Sequence, residues 1–507
     1  MRPIALILFL FATAVVPAGA APGPGSAQTE TAAYYFLLGR RLEGEGKIDE
    51  AVAALRKACA LAPDEAEPYA ELAALFTRQN RALEAVQAAE QALSRDPANR
   101  EANRVLGMVF AALSEQRHPL RPGDDPATYG RKAAEALERA IRDGGFDVNV
   151  ELTLGRLYVQ AGEHAKAIAP LRRVMDDQPG YPEVAMMLAS AHAEAGQPDA
   201  AIRVLEQAVR DNPTFFRGLA RLAEYYDEQR RFADAADAYA RAQALNPRAD
   251  LTTARATALV NAGRPADARD MLQAAIQKRG TPDGALLYLL AQAQRRLGDR
   301  EGTASTIRQL KEAFPNDLRG VLLDALVSED EGRYDAAIAA FKTLVEKVPD
   351  DPTFVYQYAN VLEKAGRPAD AERALRDLLE RDPVDADALN SLGYLFAERG
   401  ERLDEAVELL KRALAIEPAN PSYLDSLGWA YFQQGRLELA EPPLSQAAAD
   451  LPRSSAVQDH LGDLRFRQQR YAEAAAAWER ALAGDGEDVD RARIETKLRE
   501  VRERLKK

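Results

Sequence analysis

The chain has 507 residues, with 66 Lys and Arg against 79 Asp and Glu and a net charge of −13. So acidic a surface gives no general attraction for phosphate backbones, and nucleic acid is not an expected partner. At 47% hydrophobic and 29% charged, with a single cysteine, the composition excludes a disordered, collagenous or disulfide-stapled protein.

The first twenty residues form a message of their own. Arg2 supplies positive charge, Ile4 to Val16 make an apolar run, and Ala18-Gly19-Ala20 gives the small-x-small pattern that precedes a cleavage point. Residues 1–20 are therefore expected to be a cleaved signal peptide, with an uncleaved N-terminal anchor as the alternative. The run is short for a bilayer, which takes about 20 residues. Residues 21–31 follow as a flexible linker. This predicts an exported chain, periplasmic or secreted, with no integral span after cleavage. Cys59 lies in an Ala-rich helical stretch without a nearby His to activate it, so a structural role is expected.

From residue 32 onward, prolines act as a ruler. Pro63 and Pro97 are 34 residues apart, as are Pro179 and Pro213, Pro213 and Pro247, Pro315 and Pro349, Pro349 and Pro383, and Pro418 and Pro452. That is a helical-repeat length, and a proline closing each unit stops one helix before the next begins. With the closing proline counted as position 32, position 8 is small throughout: Gly39, Ala73, Gly107, Gly155, Ala189 and Ala223, then Ala291 to Gly462, with Thr257 as the departure. Position 20 is Ala from Ala51 to Ala474, with Thr303 as the exception. Breaks such as Gly366-Arg367-Pro368 and Gly435-Arg436-Leu437 fall between the two positions. Each unit is thus expected to be a helical hairpin whose helices cross closely, position 8 facing position 20.

The set Leu427, Gly428, Tyr431, Ala440, Leu444, Ala447, Pro452, repeated in phase along residues 32–485, is similar to the tetratricopeptide repeat. The resemblance implies an all-α fold, a right-handed superhelical solenoid of about 13 helix-turn-helix units. Leu310, Leu344 and Leu378 depart at position 27, and the seventh unit lacks a residue before Gly263. The third unit carries an insertion near 114–128, read either as a functional face or as a tolerated surface loop. Residues 486–507 are expected to form a C-terminal capping helix, with Ile494, Leu498, Val501 and Leu505 on one face and Glu–Arg/Lys pairs four apart on the other.

Catalytic signatures are not expected from these repeats. The sequence contains no H-E-x-x-H, G-x-S-x-G, Walker phosphate loop or G-x-G-x-x-G, and His118, His164, His192 and His460 lie singly, so no metal or cofactor is anticipated. The repeats are also expected to leave no room within these residues for a fused catalytic domain. The resemblance implies instead that peptide segments of partner proteins lie along the first helix of each unit, against positions 2, 5, 9, 12 and 13. In the last four units these phases hold Tyr356 and Asn360, Asn390 and Tyr394, Asp425 and Trp429, and Asp459 and Asp463. Asn can bond a peptide backbone regardless of its sequence, and aromatic rings give contact area at low entropic cost. Trp429, Phe432 and Phe466 either face this groove or pack between repeats. A basic clamp for chain termini is not matched. The expected function is a non-catalytic adaptor in the cell envelope, with a chaperone-like holder of exported proteins as the alternative. An enzyme hidden in the groove would depend on Asp425, Asp459 or Asp463. A homo-oligomer is compatible with a surface of this kind.

Overall fold

The computed structural model describes residues 31–117, 119–142, 145–486 and 489–505. The expected signal peptide and residues 21–30 of the expected linker lie outside them. Among the described residues there are 27 α-helices and no strand. They fall into two compact units divided after Ala249.

The first unit consists of α1 (Ala32–Gly44), α2 (Ile48–Leu61), α3 (Glu67–Arg78), α4 (Ala82–Arg95), α5 (Arg100–Gln116), α6 (Tyr129–Ile141), α7 (Val148–Gln160), α8 (His164–Asp177), α9 (Pro182–Glu194), α10 (Pro198–Asp211), α11 (Phe216–Glu228) and α12 (Phe232–Leu245). The second consists of α13 (Thr252–Asn261), α14 (Pro265–Arg279), α15 (Gly284–Arg296), α16 (Arg300–Ala313), α17 (Leu318–Asp330), α18 (Tyr334–Lys347), α19 (Pro352–Lys364), α20 (Pro368–Arg381), α21 (Ala386–Arg399), α22 (Leu403–Ile416), α23 (Pro421–Gln433), α24 (Leu437–Asp450), α25 (Ser455–Arg467), α26 (Tyr471–Ala483) and α27 (Arg491–Leu505). Consecutive odd and even helices pair as thirteen antiparallel hairpins, and α27 follows the last.

Local chemistry explains where each hairpin starts and turns. In the second unit α17, α19, α21, α23 and α25 are N-capped two residues after the closing proline, by Asp317, Asp351, Asp385, Asn420 and Ser454, whose side chains accept backbone N–H bonds. Such a cap contributes about 1 kcal/mol. The turn inside each hairpin needs one residue in the left-handed region, met by Gly46, Gly162, Gly332, Gly366 and Gly435 among others. Asn80, Arg230 and Gln469 occupy the same turn at φ of 57°, 57° and 61° without being glycine.

The close crossing differs in detail from expectation. A Cβ placed on Gly39, Gly155, Gly393 or Gly428 would lie 2.7, 2.4, 2.6 or 2.5 Å from Leu55, Leu171, Leu410 or Leu444, the leucine at position 24. Position 20 contributes its backbone: the carbonyl oxygens of Ala51 and Ala406 lie 3.4 and 3.2 Å away from the same points at Gly39 and Gly393. Ala at position 20 is nonetheless fully buried wherever it occurs, or nearly so, because any larger side chain would separate the helices.

The departure at Thr257 proves to be a shift of phase. Thr257 is half-buried, whereas Ala256 is fully buried and lies twelve residues before the buried Ala268, the spacing that separates Gly39 from Ala51. The missing residue therefore precedes Ala256, and α13 is correspondingly short at 10 residues.

In the third hairpin, α5 runs on to Gln116 and the extra segment returns through a short 3-10 turn at Pro126–Thr128. Tyr129 anchors it: the fully buried side chain donates from its hydroxyl to Asp124 at 2.8 Å and accepts from the Leu120 N–H at 2.8 Å. Helix α27 lays Ile494, Leu498 and Val501 against Trp478 and Ala481 of α26, while Leu505 is half exposed.

Candidate functional site

The odd helices α19, α21, α23 and α25 lie side by side because each hairpin repeats after 34 or 35 residues, so residues of one phase line up across them. Along them lies a half-open cavity of about 650 Å³ whose wall includes Tyr356, Asn360, Asn390, Tyr394 and Asp425. The remaining three groove candidates, Trp429, Asp459 and Asp463, are not part of this wall.

Each side chain is held differently. The Tyr356 hydroxyl donates to both carboxylate oxygens of Asp385, at 2.6 and 2.7 Å, and Asp385 also caps α21 through the Ala388 N–H. Burial, with Asp385 beside it, keeps that phenol protonated well above the ordinary tyrosine range. Asn360 is exposed on the rim. Asn390 is half-buried, and its Oδ1 is buried without a hydrogen-bond partner. Tyr394 donates to Glu398 Oε2 at 3.3 Å, and burial and the Glu398 carboxylate both push its pKa up.

Asp425 and Trp429 belong to a packed cluster between repeats. Trp429 is 7% exposed, stacks on the His460 ring at 4.1 Å and on Phe432 at 4.8 Å, and donates from Nε1 to Glu398 Oε2 at 3.0 Å. Phe432 is buried as well, and Phe466 lies half-buried against Trp478 and Tyr471. Trp429 and Phe432 thus take the inter-repeat alternative, whereas Phe466 packs inside its own hairpin and under Arg504 of α27. Asp425 Oδ2 accepts from His460 Nδ1 at 2.9 Å, while its Oδ1 is buried and unpartnered. Burial opposes a charge on His460, but the carboxylates of Asp425, Asp459 and Glu398 outweigh it and raise the imidazole pKa above its usual value.

Asp459 and Asp463 are already occupied. Lys497 of α27 places its ammonium 2.8 and 2.9 Å from the two Asp459 oxygens and 2.7 Å from Asp463 Oδ1. Burial raises the pKa of Asp463; Lys497 pulls it back and Asp459 pushes it further up. The three aspartates therefore do not converge on one reacting point. Among the described residues no group of three or more His, Cys, Asp or Glu is placed to hold a metal ion, and no helix is long and apolar enough to cross a membrane.

Sequence reasoning overlooked two carboxylates of the cavity, Glu363 and Glu398. They sit at positions 12 and 13 of their units, phases that the repeat aims toward the groove, so the signal was present. In the first unit a cavity of about 770 Å³ lies beneath the inserted segment, lined by Ser114, Arg117, Pro126, Glu138 and Tyr158 among others. There the polar groups satisfy one another, Tyr158 donating to Glu138 and Lys166 pairing with Glu163. Burial pushes the Cys59 thiol up to about 11, which suits a structural residue and not a nucleophile.

Stacked helical hairpins with a groove along one helix of each pair define an all-α interaction scaffold. The family follows from comparison. Tetratricopeptide-repeat models match residues 32–65, 130–182, 186–250, 253–317, 288–352, 329–392 and 426–492, and a TPR-repeat model matches 393–435. The chain belongs to the tetratricopeptide-repeat family, whose members bind protein partners. It is 44% identical over 81 residues to a TPR repeat-containing protein of Pseudomonas aeruginosa, covering 16% of this chain and 14% of that protein. It is 32% identical over 122 residues to a heat-shock protein cognate co-chaperone of Aspergillus fumigatus, covering 24% of this chain and 36% of the other. The chain therefore spans well under two thirds of either curated relative. Among solved structures, a tetratricopeptide repeat protein from Parabacteroides merdae aligns with a TM-score of 0.42 at 17% identity, over 49% of this chain and 97% of that one.

Proposed function

We propose that this chain is an exported, non-catalytic adaptor that recruits partner proteins by holding an extended peptide segment along α19, α21, α23 and α25. The observation that carries this reading is the cavity of about 650 Å³ there, which combines the Tyr394 ring with the amides of Asn360 and Asn390. An aromatic face supplies contact area, and side-chain amides supply backbone hydrogen bonds with little regard to sequence. Export rests on Arg2, the apolar run Ile4 to Val16 and the Ala18-Gly19-Ala20 site. One partial relative is named a co-chaperone, which supplies the rival outcome, a holder of unfolded chains.

The test places a photo-crosslinking residue at Asn360 in the full chain, within cells, and identifies the adducts by mass spectrometry after separating envelope from cytosol. A few stoichiometric partners, crosslinked in the envelope fraction and lost in Tyr394→Ala, are expected. Many partners crosslinked only after heat denaturation would select the holder. Crosslinks unchanged by Tyr394→Ala would remove the binding site from this groove.

A further inference from the structure

Carboxylates gather on one side of the same cavity, and the imidazole in its wall, His460, is bonded to Asp425 alone among them. Glu363, Glu398 and Asp425 line it, and the lysine on its rim, Lys364, is engaged by Glu329 at 2.9 Å. Glu398 is held in place by two uncharged donors, Trp429 Nε1 and the Tyr394 hydroxyl, which orient its carboxylate without neutralising it. Glu363 is half-buried; burial and the field of Glu398 raise its pKa, and the charges of Arg399 and Lys364 offset this only in part. Asp425 is 7% exposed with Oδ1 unpartnered, and Asn390 Oδ1 beside the same cavity is also unmet. Buried acceptors without donors are costly, the more so when charged, so they mark where a donor is wanted.

The molecule shows how such a need is met one repeat further along. Asp459 stands at the same phase as Asp425 and Asn390, and together with Asp463 it grips the Lys497 ammonium at 2.7 to 2.9 Å. In the last repeat the acid at this phase thus takes a lysine from the segment that follows, where Asp425 has only the His460 imidazole on one oxygen.

We propose that the cavity seats one lysine or arginine side chain of the bound peptide, its cationic head between Glu363 and Glu398 on the side of the buried, unpartnered oxygens of Asp425 and Asn390, its stem along the Tyr394 ring. This rests on the peptide-groove reading and adds the chemistry of the partner: a segment carrying a basic residue. The hydrocarbon stem suits the aromatic wall, and the head supplies the donors that the wall lacks.

The experiment pans a random decapeptide phage library on the full chain. Basic residues are expected to be enriched at one position of the selected peptides. In a synthetic copy of the strongest peptide, replacing that residue by Gln is expected to weaken binding at least about tenfold, the scale of one charge-assisted contact. In Glu363→Gln/Glu398→Gln the two peptides are expected to bind alike, a coupling that a general loss of fold would not produce. The substitution made in the peptide keeps the test valid even if that variant folds poorly. Selected peptides lost in Tyr394→Ala but indifferent to their basic residue would overturn the cation seat and leave the groove standing. No enriched peptide, or peptides indifferent to Tyr394→Ala, would overturn both. Spermidine displacing the peptide at equal affinity would also overturn the proposal, since the occupant would then be a free polyamine.

Discussion

Glu151 in the first unit and Asp425 in the second are both buried acids on odd helices, at 1% and 7% exposure, yet their surroundings differ. Glu151 spends both oxygens on the guanidinium of Arg173, at 2.6 and 2.8 Å. Asp425 spends one on His460 and keeps the other unmet beside a cavity. A complete fork-to-fork pair is what a buried acid needs for stability alone. An acid left half-satisfied is costly to the fold, and that cost is repaid only when something else supplies the donor.

The contrast predicts unequal responses to substitution. Glu151→Ala should destabilise α7 and α8 by about 3 kcal/mol, the lower end for breaking a buried pair, because Arg173 is 47% exposed and water can take up its charge. Asp425→Asn keeps an acceptor for His460 and should cost under about 1 kcal/mol while weakening peptide binding. Urea unfolding followed by hydrogen exchange on the two helices measures the first, and the same titration measures the second. Equal costs at both positions would erase the distinction.

Lys497 sharpens the comparison from inside the second unit. Asp459 and Asp463 side chains are only 17% and 15% exposed, so Lys497→Met leaves two neighbouring acids without their cation. A loss of about 2 kcal/mol, with early release of α27, is expected from thermal melts and exchange of α27 amides. Adding Asp463→Asn should restore about half of it, since the repulsion then disappears. An unchanged melt in Lys497→Met would mean that α27 is held by Ile494, Leu498 and Val501 alone.

The hairpins were legible in the sequence because their constraint is steric. A Cβ cannot fit where Gly428 meets Leu444, nor can a larger residue replace Ala440, and those demands recur every 34 residues. Counting from prolines misplaced one unit only, since a deletion moves the phase without moving the proline, and burial of Ala256 was needed to see it. The cavity was legible as far as phase alone decides it, which covers Tyr356, Asn360, Asn390 and Tyr394. Trp429 was ambiguous because a ring on an odd helix can turn toward the next repeat, where it stacks on His460 while Phe432 of its own helix packs beside it. Asp459 and Asp463 matched the phase too, but their partner Lys497 lies 38 and 34 residues away on a helix outside the repeat pattern.

His460 allows the half-satisfied acid to be followed by pH. Its folded pKa is raised above the ordinary 6.5, so its bond to Asp425 contributes fully below about pH 6.5 and is lost as pH rises through the folded value. The gap in unfolding free energy between the wild type and His460→Gln should therefore be wider at pH 6 than at pH 9. A difference of order 1 kcal/mol is expected, a charge-assisted bond partly offset by burial. A gap that widens toward pH 9 would show that the neutral imidazole is the form the site prefers.

The smallest expected effect compares one turn in the two units. Gly366 in the second and Arg230 in the first occupy the same left-handed turn, at φ of 73° and 57°. A Cβ there approaches the following carbonyl oxygen and costs about 1–2 kcal/mol, whereas glycine gives back part of this as extra freedom in the unfolded chain. Arg230→Gly should thus stabilise by about 0.5 kcal/mol. Arg230 itself makes no contribution to the ion pair beside it, which Arg231 forms with Asp234 at 2.8 Å, so the substitution reads the backbone almost alone. Gly366→Arg is the mirror experiment and should lose a similar amount. If both changes destabilise, the turn in the first unit is shaped to its arginine, and the two turns are alike in φ only.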